Sequence, residues 1–377
     1  MKIFLPTHKW LLAVILQVSL VTFTSCEEES APQHNDDRIS WNVISTNMQY
    51  SRAMIEGVTD LKDACTYGNG KSIGIKSSYI LDGSNYDHVL GNPDGDVSLI
   101  YNPNTSHDNY EGWAYNETSA YWQRGAKYTF NAYYPMEQVL QMSEITSNAN
   151  SPFVMSCNTE FFQEDLLMAY KYVNTADYTF NSKKPVDLNM LHALSALKFD
   201  FKFSYDTSDA ITAFWIENTE NNKGLFTIGE LEFGNYNTDG SINNGENIKW
   251  NSITYPNPST PIYLWEDPNG VTFTDATKAP AYSTNYNGEQ KYTDNSNYIF
   301  IIPQENDGTT YICFKLRSTS EKVYRVKLPV PNPGMLDYSY KPGSRYNHTI
   351  IIGKPDITIN LTIADWNEIH SSVDIPL

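Results

Sequence analysis

The sequence predicts an all-β protein of the β-sandwich class, and three observations support this prediction. First, the segment 197–203 alternates strictly between apolar and charged residues, in the order Leu197, Lys198, Phe199, Asp200, Phe201, Lys202 and Phe203. Successive side chains of a strand point to opposite faces of a sheet, so the alternation indicates a strand with one face in a core and one in water. Second, the same period recurs at 311–316, 323–328 and 357–363. Third, no segment combines a helical period longer than two turns with capping residues.

The chain length indicates more than one domain. A single hydrophobic core rarely grows beyond about 250 to 300 residues, whereas this chain has 377 residues. Polarity rises near 183–185, so we expect an N-terminal sandwich over 40–185 and a C-terminal sandwich over 186–377. The composition, 40% hydrophobic with 27 Tyr, supplies enough apolar surface for two cores.

The net charge excludes one class of partner. The chain carries 26 basic and 44 acidic side chains, which give a formal net charge of −18 at pH 7. Such a charge repels phosphate backbones, so we expect no binding to nucleic acid.

Residues 1–25 have the features of a signal peptide of the lipoprotein type. A basic start at 2–9 precedes an apolar run at 10–21, which is too short to be taken as a membrane span. Phe23-Thr24-Ser25-Cys26 resembles a bacterial lipobox. The resemblance implies lipidation of Cys26, and two or more acyl chains would hold the protein to the outer membrane. The alternative is a cysteine that ends a signal sequence by chance.

The segment 26–39 is expected to be a flexible acidic tether. It contains Glu27, Glu28 and Glu29 and very few apolar residues, so it lacks the material for a core. An acidic run beside a lipidated cysteine resembles the surface-export tag of some outer-membrane lipoproteins.

Three cysteines follow Cys26: Cys65, Cys157 and Cys313. In the oxidising compartment that an export signal implies, an odd number allows at most one disulfide within the chain. Their spacings show no metal-binding pattern, so we expect small buried apolar residues, and the sequence leaves open whether two of them pair.

Strands are predicted along the whole chain, separated by Gly and Pro turn signals. In the N-terminal half they fall at 39–43 and 124–135, while 165–173 fits either a strand or a helical turn. Three residues of the second strand share one face: Tyr128, Phe130 and Ala132. The strands predicted in the C-terminal half are 191–203, 228–233, 298–303, 311–316, 323–328, 346–352 and 357–363.

Several short blocks occur in a characteristic order along the chain: Tyr121-Trp122 with the strand 128–135, 165–169, 191–195, 301–304, Pro342-Gly343 with Tyr346, and 363–366. Their joint order resembles the fimbrillin family, the lipoprotein pilins of certain diderm gut and oral bacteria. The resemblance implies two transthyretin-like, Greek-key β-sandwich domains in tandem. It also implies a stalk, tip or anchor subunit of a fimbria at the cell surface.

In that family, a trypsin-like protease is thought to remove the first strand, and a strand from another subunit then fills the groove by β-augmentation. Arg38 and Arg52 are the candidate processing sites, and Arg52 lies where family members commonly carry an arginine. Either residue also fits a solvated surface arginine. The segment 370–377 fits a donor strand or, equally, a frayed terminus.

One motif for a metal ion lies between 235 and 246. Oxygen donors have the spacing of a calcium loop, around a glycine at 240: Asn235, Asn237, Asp239, Ser241 and Glu246. The alternative is a hairpin tip in which Asp239-Gly240 makes a tight turn. We favour the turn, because the flanking residues predict strands, and we therefore expect no cofactor.

No signature of an enzyme rises above this background. Ser195 and Lys198 have the spacing of acyl-serine enzymes, but on a strand they point to opposite faces. His192 fits a buried, hydrogen-bonded histidine. We therefore expect a non-enzymatic fimbrial subunit. The rival is a surface glycan-binding lipoprotein of a nutrient-uptake system, suggested by the lipid anchor and the abundant Trp and Tyr, although aromatics at strand positions more simply fill cores.

Overall fold

The computed structural model consists almost entirely of strands. It describes residues 37–45, 58–87, 90, 97–103, 112–115, 120–136, 153–159, 164–203, 209–218, 228–233, 248–254, 262–271, 298–304, 310–329, 340–353, 357–365 and 371–372. These residues include one α-helix, α1 (Val58–Ala64), and one short 3₁₀ helix, Arg317–Thr319. Neither is long and apolar enough to cross a membrane.

The strands in chain order are β1 (Trp41–Ser45), β2 (Ile73–Leu81), β3 (Ser84–Asp87), β4 (Val97–Asn102), β5 (Gly112–Tyr115), β6 (Lys127–Tyr134), β7 (Phe153–Asn158), β8 (Leu167–Asn174), β9 (Val186–His192), β10 (Ser195–Phe203), β11 (Ile211–Asn218), β12 (Ile228–Phe233), β13 (Ile248–Thr254), β14 (Ile262–Val271), β15 (Tyr298–Ile301), β16 (Thr310–Leu316), β17 (Val323–Lys327), β18 (Ser344–Ile352), β19 (Ile357–Asp365) and β20 (Ser371–Ser372). The all-β prediction is therefore confirmed. The segment 165–173, which fitted a strand or a helical turn, forms β8.

An eight-stranded N-terminal sheet has the order β1-β9-β8-β6-β2-β4-β5, with β3 paired to β2. The pairing of β1 with β9 is parallel, and the other pairings are antiparallel. Tyr128, Phe130 and Ala132 of the central strand β6 are buried in the core, as their shared face predicts. The same core takes in Leu61 and Cys65, which α1 and the turn after it supply.

Two further sheets share one core and form a β-sandwich. One has the order β15-β10-β18-β19-β20 and the other β14-β11-β16-β17. Phe199 and Phe201 of β10 meet Phe214 of β11 edge to face, with ring centroids 5.3 and 5.1 Å apart. Leu197, Phe199 and Phe201 all belong to this core, so the inward face predicted for 197–203 is confirmed at these positions.

A three-stranded sheet, β13-β12-β7, contains strands from both halves of the chain. β7 pairs antiparallel with β12 along the full length of both strands. The sheet belongs to a third core, which joins Tyr133 and Met168 of the N-terminal sheet to Trp250 and Phe300 from the second half. The two halves are therefore held together by backbone pairing as well as by packing.

Only Ala193 and Leu194 separate β9 of the N-terminal sheet from β10 of the sandwich. Both of their backbones are held by hydrogen bonds: Ala193 N donates to Leu166 O (2.8 Å), Trp250 Nε1 donates to Ala193 O (2.9 Å), and Gly343 N donates to Leu194 O (2.9 Å). These hydrogen bonds fix the connection between β9 and β10, which is called the joint below. The joint lies within 191–195, one of the short sequence blocks that resemble the fimbrillin family.

The division of the chain into 40–185 and 186–377 stays a prediction. Strand pairing places β9 within the N-terminal sheet, so by this criterion a division would fall after His192 and not at 185.

β12 and β13 pair antiparallel, as the hairpin alternative to the calcium loop requires. Several predicted sites lie outside the described residues, namely Cys26, Arg52 and the calcium-loop residues 235–246.

Candidate functional site

β1 forms an edge of the N-terminal sheet, where it lies beside β9. The register runs from Trp41 opposite Val186 to Ser45 opposite Met190. At the start of the strand, Val186 N donates a hydrogen bond to Ser40 O over 2.7 Å. No tight hairpin can join a parallel pair, so the ladder and the buried side chains, and not a direct connection to β9, hold β1 at this edge.

Side chains of β1 and the residue two positions before it close one end of the N-terminal core. Ile39, Trp41 and Val43 are 1%, 6% and 2% exposed, and all three belong to that core. The Trp41 ring meets Phe130 edge to face, with centroids 5.1 Å apart. Ile39, Trp41 and Val43 are spaced two residues apart along the chain, so one face of an extended segment fills three adjacent positions in the core.

The outward face of β1 makes a polar contact with the same neighbouring strand. Asn42 Nδ2 donates to Asp187 Oδ1 over 2.8 Å, and Asn42 is exposed. This hydrogen bond is the main reason that the pKa of Asp187 is lowered, with a smaller contribution from Lys184. An exposed contact of this kind adds little stability, so the buried face supplies most of the free energy that holds β1.

Loss of β1 would turn this edge into an acceptor for another strand. The backbone N–H and C=O groups of β9 that face β1 would lose their partners, and the positions of Ile39, Trp41 and Val43 would be open. An unpaired strand edge beside apolar cavities is the arrangement that β-augmentation uses, with the backbone giving affinity and the cavities giving specificity.

Arg38, one of the two candidate processing sites, is held in place on both sides. Trp122 N donates to Asp37 O and Ile39 N donates to Ala120 O, each over 2.9 Å. Arg38 itself forms a β-bridge with Tyr121, and its guanidinium lies 5.4 Å from the centre of the Tyr115 ring. A protease needs an extended, accessible backbone, so the bond after Arg38 is protected in this fold.

The three described cysteines are buried thiols and take part in no disulfide, as expected of small apolar residues. Burial raises the pKa of Cys157 to about 12. Burial, together with the hydrogen bond to Glu217, also raises the pKa of Cys313 to about 12. Thiols with such pKa values stay protonated and are poor nucleophiles and poor metal ligands.

His192 is a buried, hydrogen-bonded histidine, as its position next to an apolar strand predicted. Its Nδ1 lies 3.0 Å from Oδ1 of Asp165, and the two side chains are 2% and 1% exposed. Ser195, three residues further on, donates its hydroxyl to Lys341 O over 2.7 Å. These polar groups stabilise the joint between β9 and β10. Within the described part of the chain, no group of His, Cys, Asp and Glu side chains could hold a metal ion.

Sequence reasoning predicted a first strand at 39–43 but not its partner. The alternation of Ile39, Trp41 and Val43 is a visible signal for a buried face. Nothing in the sequence pairs that face with β9, because the two strands are parallel and far apart along the chain. A second feature that the sequence did not reveal is the loop between β8 and β9, which carries Tyr178 at 97% exposure.

The fold and this edge define an all-β protein whose first described strand, β1, lies at the edge of its N-terminal sheet. The model of the fimbrillin-like family matches residues 92–366, most of the chain. The chain belongs to the fimbrillin-like family, whose members are proteins of cell-surface fimbriae. No match was found among the curated proteins.

Similar solved structures include three fimbrial proteins. A fimbrial protein from Bacteroides vulgatus is 15% identical, with a TM-score of 0.49, covering 88% of this chain and 100% of its own. The tip fimbrial protein Mfa3 from Porphyromonas gingivalis, with a C-terminal truncation, is 10% identical, with a TM-score of 0.36, covering 78% and 95%. A fimbrial assembly protein from Parabacteroides distasonis is 6% identical, with a TM-score of 0.34, covering 87% and 96%.

Proposed function

We propose that this chain is a structural or adhesive, non-enzymatic subunit of a bacterial surface fimbria, exported as a lipoprotein and assembled by strand exchange. The observation that carries the proposal is the position of β1 at a sheet edge, with Ile39, Trp41 and Val43 buried in the core behind it. Family membership supports the fimbrial part of the proposal.

Processing after Arg52 fits this mechanism better than processing after Arg38. A cut after Arg52 detaches the whole of β1 from the rest of the chain, whereas a cut after Arg38 leaves Ile39, Trp41 and Val43 attached. The hydrogen bonds on both sides of Arg38 also oppose cleavage there. We therefore assign a trypsin-like cleavage to Arg52.

The end of the chain has a pattern that fits the groove. Val373, Ile375 and Leu377 are spaced two residues apart, as are Ile39, Trp41 and Val43. A strand with that period can fill three adjacent cavities from one face, and Pro376 then falls on the opposite face. In this proposal the tail of one subunit is the donor for the next one.

The export part of the proposal rests on the sequence of the first 29 residues. Lipidation of Cys26 would anchor the precursor to the outer membrane, and a cut after Arg52 would separate the lipid from the folded part. An uncleaved subunit would stay attached to the membrane and act as an anchor. Cys26→Ser should abolish acylation and release the precursor from the membrane, as measured by mass spectrometry of the N-terminal peptide from whole-cell and soluble fractions.

The experiment for strand exchange uses limited trypsin digestion of the purified protein. We expect an N-terminus at Ala53 and heat-stable ladders on a gel for the unmodified protein and for Arg38→Gln, and neither result for Arg52→Gln. Arg38→Gln is the matched control, since it removes a basic residue on the other side of β1. Absence of ladders from the cleaved, unmodified protein would reject assembly by strand exchange.

The glycan-binding alternative loses much of its basis in the fold. Four of the tryptophans that suggested it are buried: Trp41, Trp122, Trp215 and Trp250. Their rings fill cores, so they cannot stack on a sugar ring. Retention on a polysaccharide affinity gel without ladder formation would nevertheless favour that function.

A further inference from the structure

The loop 175–185 between β8 and β9 is held by its own hydrogen bonds. Asp177 Oδ1 accepts from Thr179 N and from Thr179 Oγ1, both over 2.9 Å, and these bonds lower the pKa of Asp177. Backbone turns close at Phe180 N to Asp177 O and at Lys184 N to Asn181 O, each over 3.0 Å. The loop is therefore ordered before any partner arrives, which reduces the entropy cost of binding.

The base of the loop is fixed to the body of the N-terminal sheet. Thr175 Oγ1 donates to Gln123 O over 2.8 Å, and Thr175 N donates to Ala126 O over 2.9 Å. Phe180 packs edge to face against the buried Trp122, with centroids 5.2 Å apart. Thr175 and Phe180 therefore fix the loop to the sheet at two points, and the residues between them form its exposed tip.

Tyr178 stands at that tip with 97% of its surface exposed. Among the described residues, the other exposed tyrosines are less accessible: Tyr67 at 52%, and Tyr86 and Tyr121 at 44%. A single exposed apolar residue is ordinary. A tyrosine on a preordered loop is nevertheless a residue type that interfaces use as an anchor, because it offers a large contact area with few rotatable bonds.

The loop lies at the end of the sheet where β1 begins. Val186, the residue that follows the loop, is paired with Trp41 and donates to Ser40 O. Any segment that enters the place of β1 in the same direction therefore passes this loop first. A donor that is the C-terminal tail of another subunit has the body of that subunit before it in the chain, and so the body must lie against this end.

Exposed side chains of both signs lie at this end of the sheet: Arg124, Lys127 and Lys183 are basic, and Asp82 and Asp177 are acidic. Lys184 is also exposed, but its Nζ lies 3.4 Å from Oδ2 of Asp187, which offsets its charge. Charge therefore does not identify the partner, and the choice of a second copy follows from the path of the donor strand.

We propose that the loop 175–185, with Tyr178 at its tip, is the docking surface for the body of the next subunit, a second copy of this chain whose tail replaces β1. The inference rests on the proposed function, because it needs a donor strand in the groove. It adds a contact outside the groove and fixes the direction of the donor, parallel to β9.

The test separates filling of the groove from docking of the body. One assay measures binding of a labelled peptide of residues 366–377 to the trypsin-processed protein, which fills the groove without a body. The other measures the rate of ladder formation by the processed protein. Tyr178→Ala should leave the peptide affinity unchanged and slow ladder formation about tenfold, the effect of one interface anchor. Tyr67→Ala is the control, because Tyr67 is exposed at the opposite end of the sheet, beside Tyr101.

Three outcomes would overturn the docking proposal alone. Equal ladder rates for Tyr178→Ala and the unmodified protein would show that the loop does not contact the next subunit. Equal losses in both assays would show that the loop acts on the groove itself. A loss for Tyr67→Ala in place of Tyr178→Ala would place the body at the opposite end. Failure of the unmodified protein to bind peptide or form ladders would instead reject strand exchange, and the docking proposal with it.

Discussion

The aromatic ring of Tyr133 lies directly over the α carbon of Gly74 on the neighbouring strand. The two residues are paired in the register between β2 and β6, and Tyr133 is only 2% exposed. A Cβ atom at Gly74 would lie 2.7 Å from Cε1 of Tyr133, closer than real Cβ atoms approach. The glycine is therefore required by the ring above it.

Gly74→Ala should lower the unfolding free energy by about 1 to 3 kcal/mol, because the added methyl group forces the buried ring of Tyr133 to shift. A decrease in unfolding free energy is informative, because alanine inside a strand is otherwise favoured over glycine by about 0.5 to 1 kcal/mol. Urea denaturation measures the effect. In a Tyr133→Leu background the same substitution should cost much less, and an equal cost in both backgrounds would contradict the steric explanation.

Trp250→Phe should destabilise the joint between β9 and β10. The substitution leaves the buried Ala193 carbonyl without the indole N–H that lies 2.9 Å from it. We expect a loss of about 1 to 3 kcal/mol in unfolding free energy beyond the loss of ring volume. Trp122→Phe is the matched control, because Trp122 is also buried and its Nε1 has no hydrogen-bond partner among the described residues. Equal losses for the two variants would contradict a role for the hydrogen bond.

Sequence periodicity predicted which faces of the strands are buried. Ile312, Phe314 and Leu316 of β16 lie in the sandwich core, as their alternation indicates. Cys313, on the other face of β16, is also fully buried. Periodicity alone gives no sign of a strand that is covered on both faces, because the second cover comes from elsewhere in the chain.

Strand partners could not be predicted in the same way. β1 pairs in parallel with β9, and β7 pairs with β12 across the two halves of the chain. A period of two fixes the face of each residue and leaves the partner open, since partner choice depends on packing between distant segments. For the same reason, the candidate site was visible in sequence as a strand but not as the edge of a particular sheet.

The stability of the sandwich should depend on pH through His348. This residue is fully buried in β18 and stacks on Phe199, with ring centroids 4.9 Å apart. Burial lowers its pKa from 6.5 to about 4. The folded state therefore disfavours the protonated ring.

Because the folded pKa is below the unfolded value, the unfolded state binds the proton first as pH falls. The contribution of His348 is complete above pH 6.5 and is lost progressively between pH 6.5 and 4, to a total of about 3 kcal/mol. His348→Gln removes the titrating group. As the pH is lowered from 6.5 to 4, the unfolding free energy of this variant should therefore fall less steeply than that of the unmodified protein. Parallel pH profiles for the two proteins would contradict the prediction.

Trp41→Ala should loosen β1 before any proteolysis takes place. The side chain is 6% exposed and packs edge to face on Phe130, so its removal costs about 3 to 5 kcal/mol of the packing that holds β1. Opening of β1 then becomes at least about a hundredfold more frequent.

The measurement is hydrogen exchange at the amide of Val186, which donates to Ser40 O and is released when β1 leaves. Amides of the central strand β6 are not paired with β1 and are released only by wider unfolding, so they should remain slower to exchange than the amide of Val186. Trp41→Phe is the control, since it keeps an aromatic ring against Phe130 and removes an indole N–H that has no hydrogen-bond partner within the described residues. If in Trp41→Ala the amides of β6 exchange as fast as the amide of Val186, the strand does not open independently, and its removal could not create a groove in an otherwise folded subunit.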